Sequence, residues 1–418
     1  MTGKPGTGKH EIRRFGERLQ NTRTVSMAGL VVAIALSLAG QVAATESEQW
    51  LRYRWSRDTY QADAAAIGQY VELKTMNAAA SDSWGLSLQK GETLLVGHWP
   101  TPMAKEGFIT FAVVRSPKRD RLFADSNEDG RLLDEKPTEA LYQSPDRSEF
   151  GPLKLLFSGD DGPITYHVNV DFYKWSGAEQ LNLSAAGWYE GEVSIGGKKL
   201  RCLLVDYNSN GAFNDTSMNF AALDHIKLGT GKDLETHFFG QYLAIDDVLY
   251  HPEPARDGSC IEFTRVDRVA CGTLKVPEGV REVSIAGENG YLRFDLIRRD
   301  AEAAGPSVPA GRWRLNNWII ERKDANGKSW TMEGRGFSDR GLLRVDEGFA
   351  TALDIAEPVT ARLEVTKRSG GYSFNGSLKG RYGESINILK EGRRPKPPVL
   401  RIKSHDGAYE LVKSFEYG

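Results

Sequence analysis

Residues 164 to 175, "ITYHVNVDFYKW", set Ile164, Tyr166, Val168, Val170 and Phe172 against Thr165, His167, Asn169 and Asp171 in strict alternation. Side chains of a strand point to opposite faces in turn, so this period of two makes one apolar and one polar surface, which no helix would do. The runs "GFITFAVV", "EGEVSIGGKKLRCLLVD", "REVSIAGENGYLRFDLIRR" and "ARLEVTKRSGGYSFNGSL" read as further strands broken by glycine turns. "AGENGY" and "KDANGKSW" add Asn-Gly, the strongest short hairpin signal. Helical spacing is confined to "YQADAAAIGQYVEL" and "DEKPTEALYQ", read as short helices. The expected fold class is therefore all-β: antiparallel sandwiches with few short helices. The polar side of 164–175 reads as a solvated sheet face.

A chain of 418 residues has room for about two to three domains. The sharpest change of composition is "DAEAAGPSVPAG", residues 300 to 311, yet "VPAGRWRL" reads as the turn into a sandwich strand. The boundary is therefore placed near Gly272, giving a β-rich domain over 45–272 and a β-sandwich over 273–418.

Residues 1 to 44 read as a signal peptide. A basic stretch ends at Arg23, the apolar run "MAGLVVAIALSLAG" follows, and Val42 and Ala44 are the small or apolar residues a signal peptidase reads. The run is shorter than the ~18–20 residues of a membrane span. Without this segment, which holds six Lys/Arg and two Asp/Glu, 48 basic and 54 acidic residues remain, a net charge of −6. That balance argues against nucleic acid as a partner. The expected address is outside the cytosol, in the periplasm, at the cell surface or beyond, with no membrane span after cleavage.

Two loops carry the chemistry. "DSNEDGRLLD", residues 125 to 134, and "DYNSNGAFND", residues 206 to 215, both read D-x-N-x-[DN]-G-x-x-x-D, and each follows an apolar run. A hard cation such as Ca²⁺ takes six to eight oxygens, and alternate positions of a tight loop direct side chains inward while glycine allows the turn. The first loop would offer Asp125, Asn127, Asp129, the carbonyl of Arg131 and Asp134. The second would offer Asp206, Asn208, Asn210, the carbonyl of Ala212 and Asp215. The position where an EF-hand closes with Glu holds Lys136 or Ser217, and a strand rather than a helix precedes each loop. The competing reading is a pair of Asx turns closed by side-chain to backbone hydrogen bonds without metal. On ligand charge alone the first loop should bind more tightly. The 81-residue echo also points to two related β-units within residues 45–272.

Other chemistry is sparse. "GKPGTGKH" at residues 3 to 10 resembles a phosphate loop but has His10 in place of Ser or Thr and lies in the leader. There is no G-x-S-x-G or H-E-x-x-H, so no catalytic residue is assigned. Cys202 reads as a buried small hydrophobe, and Cys260 and Cys271 as facing residues of a hairpin open to bridging. Nine tryptophans suggest core packing first and a sugar-stacking surface second.

"LLVDYNSNGAFND", "VPAGRWRL" and "GRRPKPPVLRIKSHDGAYELVKSFEYG" resemble uncharacterised exported bacterial β-sandwich proteins with calcium loops. "VPAGRWRL" followed by "DANGKSW" is similar to the transthyretin-like or carboxypeptidase-regulatory-like sandwich. The resemblance implies a fold and an address, and no shared catalytic residues. The expected function is a non-catalytic, calcium-stabilised β-protein with a structural, adhesive or ligand-binding role at the cell envelope, its partner a polysaccharide or an envelope protein. A polysaccharide-acting hydrolase with an interdomain cleft, or a subunit of an envelope complex, are the alternatives.

Overall fold

A computed structural model describes residues 45–417 except 77–83, 161, 297–304 and 338–340. The expected leader lies outside the described residues. Within them the molecule is all-β and mainly antiparallel, and no helix is long and apolar enough to cross a membrane.

The amino-terminal half repeats one device. Strands β1 (Thr45–Trp50) and β2 (Arg52–Trp55) form one chain that passes from sheet to sheet at Leu51, and β3 (Gln69–Glu72) and β4 (Lys74–Met76) do the same at Leu73. Both leucines are buried in one core, and their N–H groups donate to Ser259 and Glu179 carbonyls respectively. From β4 a meander continues through β5 (Thr93–Pro100), β6 (Phe108–Arg115), β7 (Arg121–Ala124) and β8 (Thr138–Glu139). Its companion sheet orders β3 beside β12 (Ala178–Ala185), β11 (Gly162–Trp175), β10 (Arg147–Gly159) and β9 (Tyr142–Gln143). The second unit sets β2 beside β13 (Gly187–Ile195), β14 (Lys198–Val205), β15 (His225–Thr230) and β16 (Asp233–Phe238). Its companion begins with β1, β19 (Cys260–Arg265), β18 (Val248–Pro254) and β17 (Tyr242–Ile245).

That last sheet does not stop. β17 pairs in parallel with β22 (Gly290–Asp295), and the ladder runs on through β21 (Val280–Gly287), β24 (Gly311–Lys323) and β25 (Ser329–Arg335). The apolar interior is nonetheless divided. One cluster draws on residues from Leu51 to Phe263 and another on residues from Leu274 to Ile386, with Trp313 and Trp318 at the centre of the second. The parity read at 164–175 places Tyr166, Val168, Val170 and Phe172 in the first cluster.

Three expectations are corrected. The two stretches expected to be helical are not; the one helical turn among the described residues is Phe220–Ala222. In 60–73, Asp63 takes a left-handed φ of 58° and Ala64 packs flat against Trp188, Leu203 and Val205, so the alanines cover a sheet instead of coiling. In 134–143, Pro137 disfavours helical geometry at Lys136, and the chain after it pairs as β8 and β9.

The polar side of β11 is not a fully solvated face. His167 is buried, stacked on Trp55 with centroids 4.6 Å apart and planes 8° apart, and its Nδ1 lies 3.2 Å from the Tyr53 hydroxyl. Burial, and then the nearby Lys154, pull its pKa down to about 4. His98, on β5, lies in the other sheet and meets Thr110 instead.

Cys260 and Cys271 do not face each other. The first opens β19; the second opens β20 (Cys271–Lys275), which belongs to a separate sheet with β23 (Ser307–Pro309) and β27 (Ala350–Ala352). All three thiols are free. Burial pushes the Cys202 thiol far up, and burial together with Glu48 pushes Cys260 up to about 11. Since the thiolate is the reactive form, native protein should react with a disulfide reagent first at Cys271 and leave Cys202 silent until unfolded. Rapid labelling of Cys202 before unfolding would contradict its burial.

Candidate cation-binding loops

The two echoed motifs fold into the same loop. In the first, the N–H of Asp129 donates to Asp125 Oδ1 at 3.1 Å and that of Gly130 to Oδ2 at 3.0 Å. In the second, Asn210 N–H donates to Asp206 Oδ1 at 3.1 Å and Gly211 N–H to Oδ2 at 2.7 Å. The side-chain oxygens of Asn127 and Asn208 accept from residues 129 and 210, and those of Asp129 and Asn210 accept from 131 and 212. Each closing carboxylate takes an amide: Asn127 Nδ2 reaches Asp134 at 2.8 Å, and Asn208 Nδ2 reaches Asp215 at 3.0 Å. Left-handed backbone recurs at Glu128 and Ser209, with φ of 57° and 55°, and at Gly130 and Gly211. Matching donors, acceptors and dihedrals are far more than an echo of letters.

Each loop has an acid that the motif does not contain. Glu135 Oε1 accepts from Ser126 N–H at 2.6 Å, and Asp224 Oδ1 accepts from Tyr207 N–H at 3.0 Å, so both cap the donor just after the first Asp. Asp224 Oδ2 also accepts from the N–H of Asp215. Glu135 adjoins the motif, and Asp224, nine residues beyond it, immediately precedes β15. The only hint in the sequence is an acid near each loop's exit.

The surroundings of the loops differ. The first lies at the surface, with Asn127, Asp129, Gly130 and Asp134 exposed and Leu132 alone fixed in an apolar cluster. The second is wedged between the two β-units. Trp99 Nε1 donates to the Ser209 carbonyl at 3.2 Å, Ser209 Oγ donates to Ile67 O and accepts from Ala185 N–H, and Tyr166 Oη donates to Asp206 at 2.7 Å. A Cβ on Gly211, at φ 95°, would come within 2.9 Å of Thr101 Oγ1, so glycine is required there on two counts.

Asp206 and Asp224 are both fully buried. Burial pushes Asp206 up to about 7, and burial followed by the charge of Asp206 drives Asp224 up as well. No Lys, Arg or His forms an ion pair with either, or with Asp215, among the described residues. Asp125, buried at the start of the otherwise exposed first loop, is raised as well, again chiefly by burial.

The donor set suits a hard cation and no other metal. Among the described residues no three Asp, Glu, His or Cys side chains gather as a metal centre, so carboxylates alone would not hold an ion. An ion would need the amide and carbonyl oxygens at positions 127, 131, 208, 210 and 212 as well, the mixture calcium accepts and zinc does not. The amide hydrogens now resting on Asp134 and Asp215 would have to turn away. No family model, curated protein or solved structure matches the chain.

Proposed function

We propose that this chain is an exported, non-catalytic β-protein whose two loops bind calcium for stability, serving a structural, adhesive or ligand-binding role at the cell envelope. One observation carries the reading: two separate loops share one hydrogen-bond scheme, and in the second a pair of buried acids has no Lys, Arg or His ion-pair partner among the described residues. Buried charge is costly unless paired or neutralised. A divalent ion held by Asp206, Asn208, Asn210, the Ala212 carbonyl and Asp215 would supply the missing charge. It would also tie together strands on both sides of the wedge, adding binding free energy to folding free energy.

Chelator-stripped protein titrated with Ca²⁺ in a calorimeter should show two events. Asp125→Ala should abolish one and Asp206→Ala the other. Absence of heat up to millimolar calcium, with both loops intact, would reduce them to metal-free Asx turns.

A further inference from the structure

The outer face of the sheet β2-β13-β14-β15-β16 is covered only in part. Segment 59–66 lies over one half, where Ala64 meets Trp188, Leu203 and Val205 and Asp63 pairs with Lys227 at 2.7 Å. The other half is an open depression of about 640 Å³. Four cations line it: Arg52 and Arg54 from β2, and Lys199 and Arg201 from β14. Two carboxylates of β13 stand among them. Glu190 is shared by Arg54 at 3.1 Å and Arg201 at 3.5 Å, and Glu192 is held by Lys199 at 2.8 Å. Two positive charges therefore remain over, on a chain whose overall net charge is −2. Arg52 sits directly across from Glu190 in the ladder, yet it meets no carboxylate among the described residues. Gly229, opposite Arg201, leaves the floor beside that guanidinium bare. Trp50 stands at the rim with 68% of its surface exposed.

The geometry points to a binding site for an acidic polysaccharide, one whose pyranose rings carry carboxylate or sulfate groups. Guanidinium forks match such anions through paired hydrogen bonds, and a free indole face offers apolar area to a sugar ring. The excess charge excludes a neutral glycan as the preferred ligand, and the tryptophan distinguishes a sugar from a bare polyanion. This proposal deepens the ligand-binding role above and needs no calcium in the loops.

Binding is therefore tested in EGTA, which also prevents calcium from bridging glycan and protein. Polygalacturonate, dextran sulfate, uncharged dextran and inorganic polyphosphate are compared by affinity electrophoresis of the whole chain at low salt. Polygalacturonate or dextran sulfate, or both, should retard the protein, and the stronger of the two identifies the anion; dextran should not. Arg52→Gln combined with Arg201→Gln should weaken retardation about tenfold or more, the loss expected for charge-assisted hydrogen bonds. Trp50→Ala should weaken the glycans while leaving polyphosphate unchanged. These side chains are exposed, so an unaltered melting midpoint shows that each variant is folded. No retardation by either acidic glycan, retention of dextran as strongly, an unaffected double arginine variant, or equal loss of polyphosphate in Trp50→Ala overturns the assignment. A calcium titration that succeeds while these fail leaves the loop reading intact.

Discussion

Removal of calcium should destabilise this protein much more at about pH 8 than at about pH 5, because Asp206 must lose a proton before an ion can replace it. The sign follows from where the proton sits. Asp206 has an unperturbed value of 3.8 and is pushed up to about 7 by burial, and Asp224 is raised in the same direction by burial and then by the charge of Asp206. Between those two values the folded chain keeps a proton that the unfolded chain has released, so stability falls as pH rises through the window and is lowest above it. In EGTA the melting midpoint should therefore drop from about pH 5 to about pH 8, apart from contributions of other groups. Saturating calcium should reverse most of the drop, since above the window no proton competes with the ion. At a free concentration ~100 times Kd the gain is about 2.7 kcal/mol per site, which for a chain of this size amounts to several degrees. Asp206→Asn provides the control: it keeps an oxygen in place, removes the charge, and should flatten both the pH and the calcium response. A midpoint in EGTA with the same pH dependence in wild type and Asp206→Asn would remove the carboxylate pair from the account.

The fold was legible wherever strand faces differ in polarity. Residues 164–175 declared their buried side by parity alone, and "AGENGY" declared its hairpin, because both signals are local. The alanine-rich stretch at 60–73 misled for an equally local reason: alanine favours helices, but Ala64 sits on Trp188 and Leu203, residues more than a hundred positions away. Cys260 and Cys271 misled because eleven residues suffice for a hairpin, whereas here they begin strands of different sheets.

The loops show the same division. Spacing alone exposed the ten motif positions, since the hydrogen bonds that the two loops share each span only a few residues. Asp224 escaped notice because its contact with Tyr207 closes a gap of 17 residues. Burial escaped notice too, and it changes the ranking expected for stability. Charge counting favours the first loop, yet that loop is exposed, and truncating Asp125 disturbs only its own turn. The second loop is the wedge between two β-units, so Asp206 matters to both.

Trp99→Ala should show how far that wedge matters. Trp99 is fully buried on β5, packed at 5.9 Å from Tyr166 and near Phe111 and Phe157, while its indole N–H holds the carbonyl of Ser209. Removing a buried tryptophan side chain costs about 3–5 kcal/mol through lost packing and the cavity left behind. If the loop were merely decorated by this contact, the calcium-dependent gain in stability would survive the substitution unchanged. In the wedge, however, Tyr166 leans on Trp99 and also holds Asp206, so a cavity at Trp99 loosens a residue that orients the first carboxylate of the loop. Both the baseline midpoint and the calcium increment should fall in Trp99→Ala, although residue 99 touches no expected ligand. Tyr166→Phe separates the two effects, because it keeps the ring and removes only the hydroxyl donated to Asp206. It should reduce the calcium increment with a far smaller loss of baseline stability. If Trp99→Ala lowers the midpoint while the calcium increment stays at the wild-type value, the second loop is held by its own turn and the wedge has no part in ion binding.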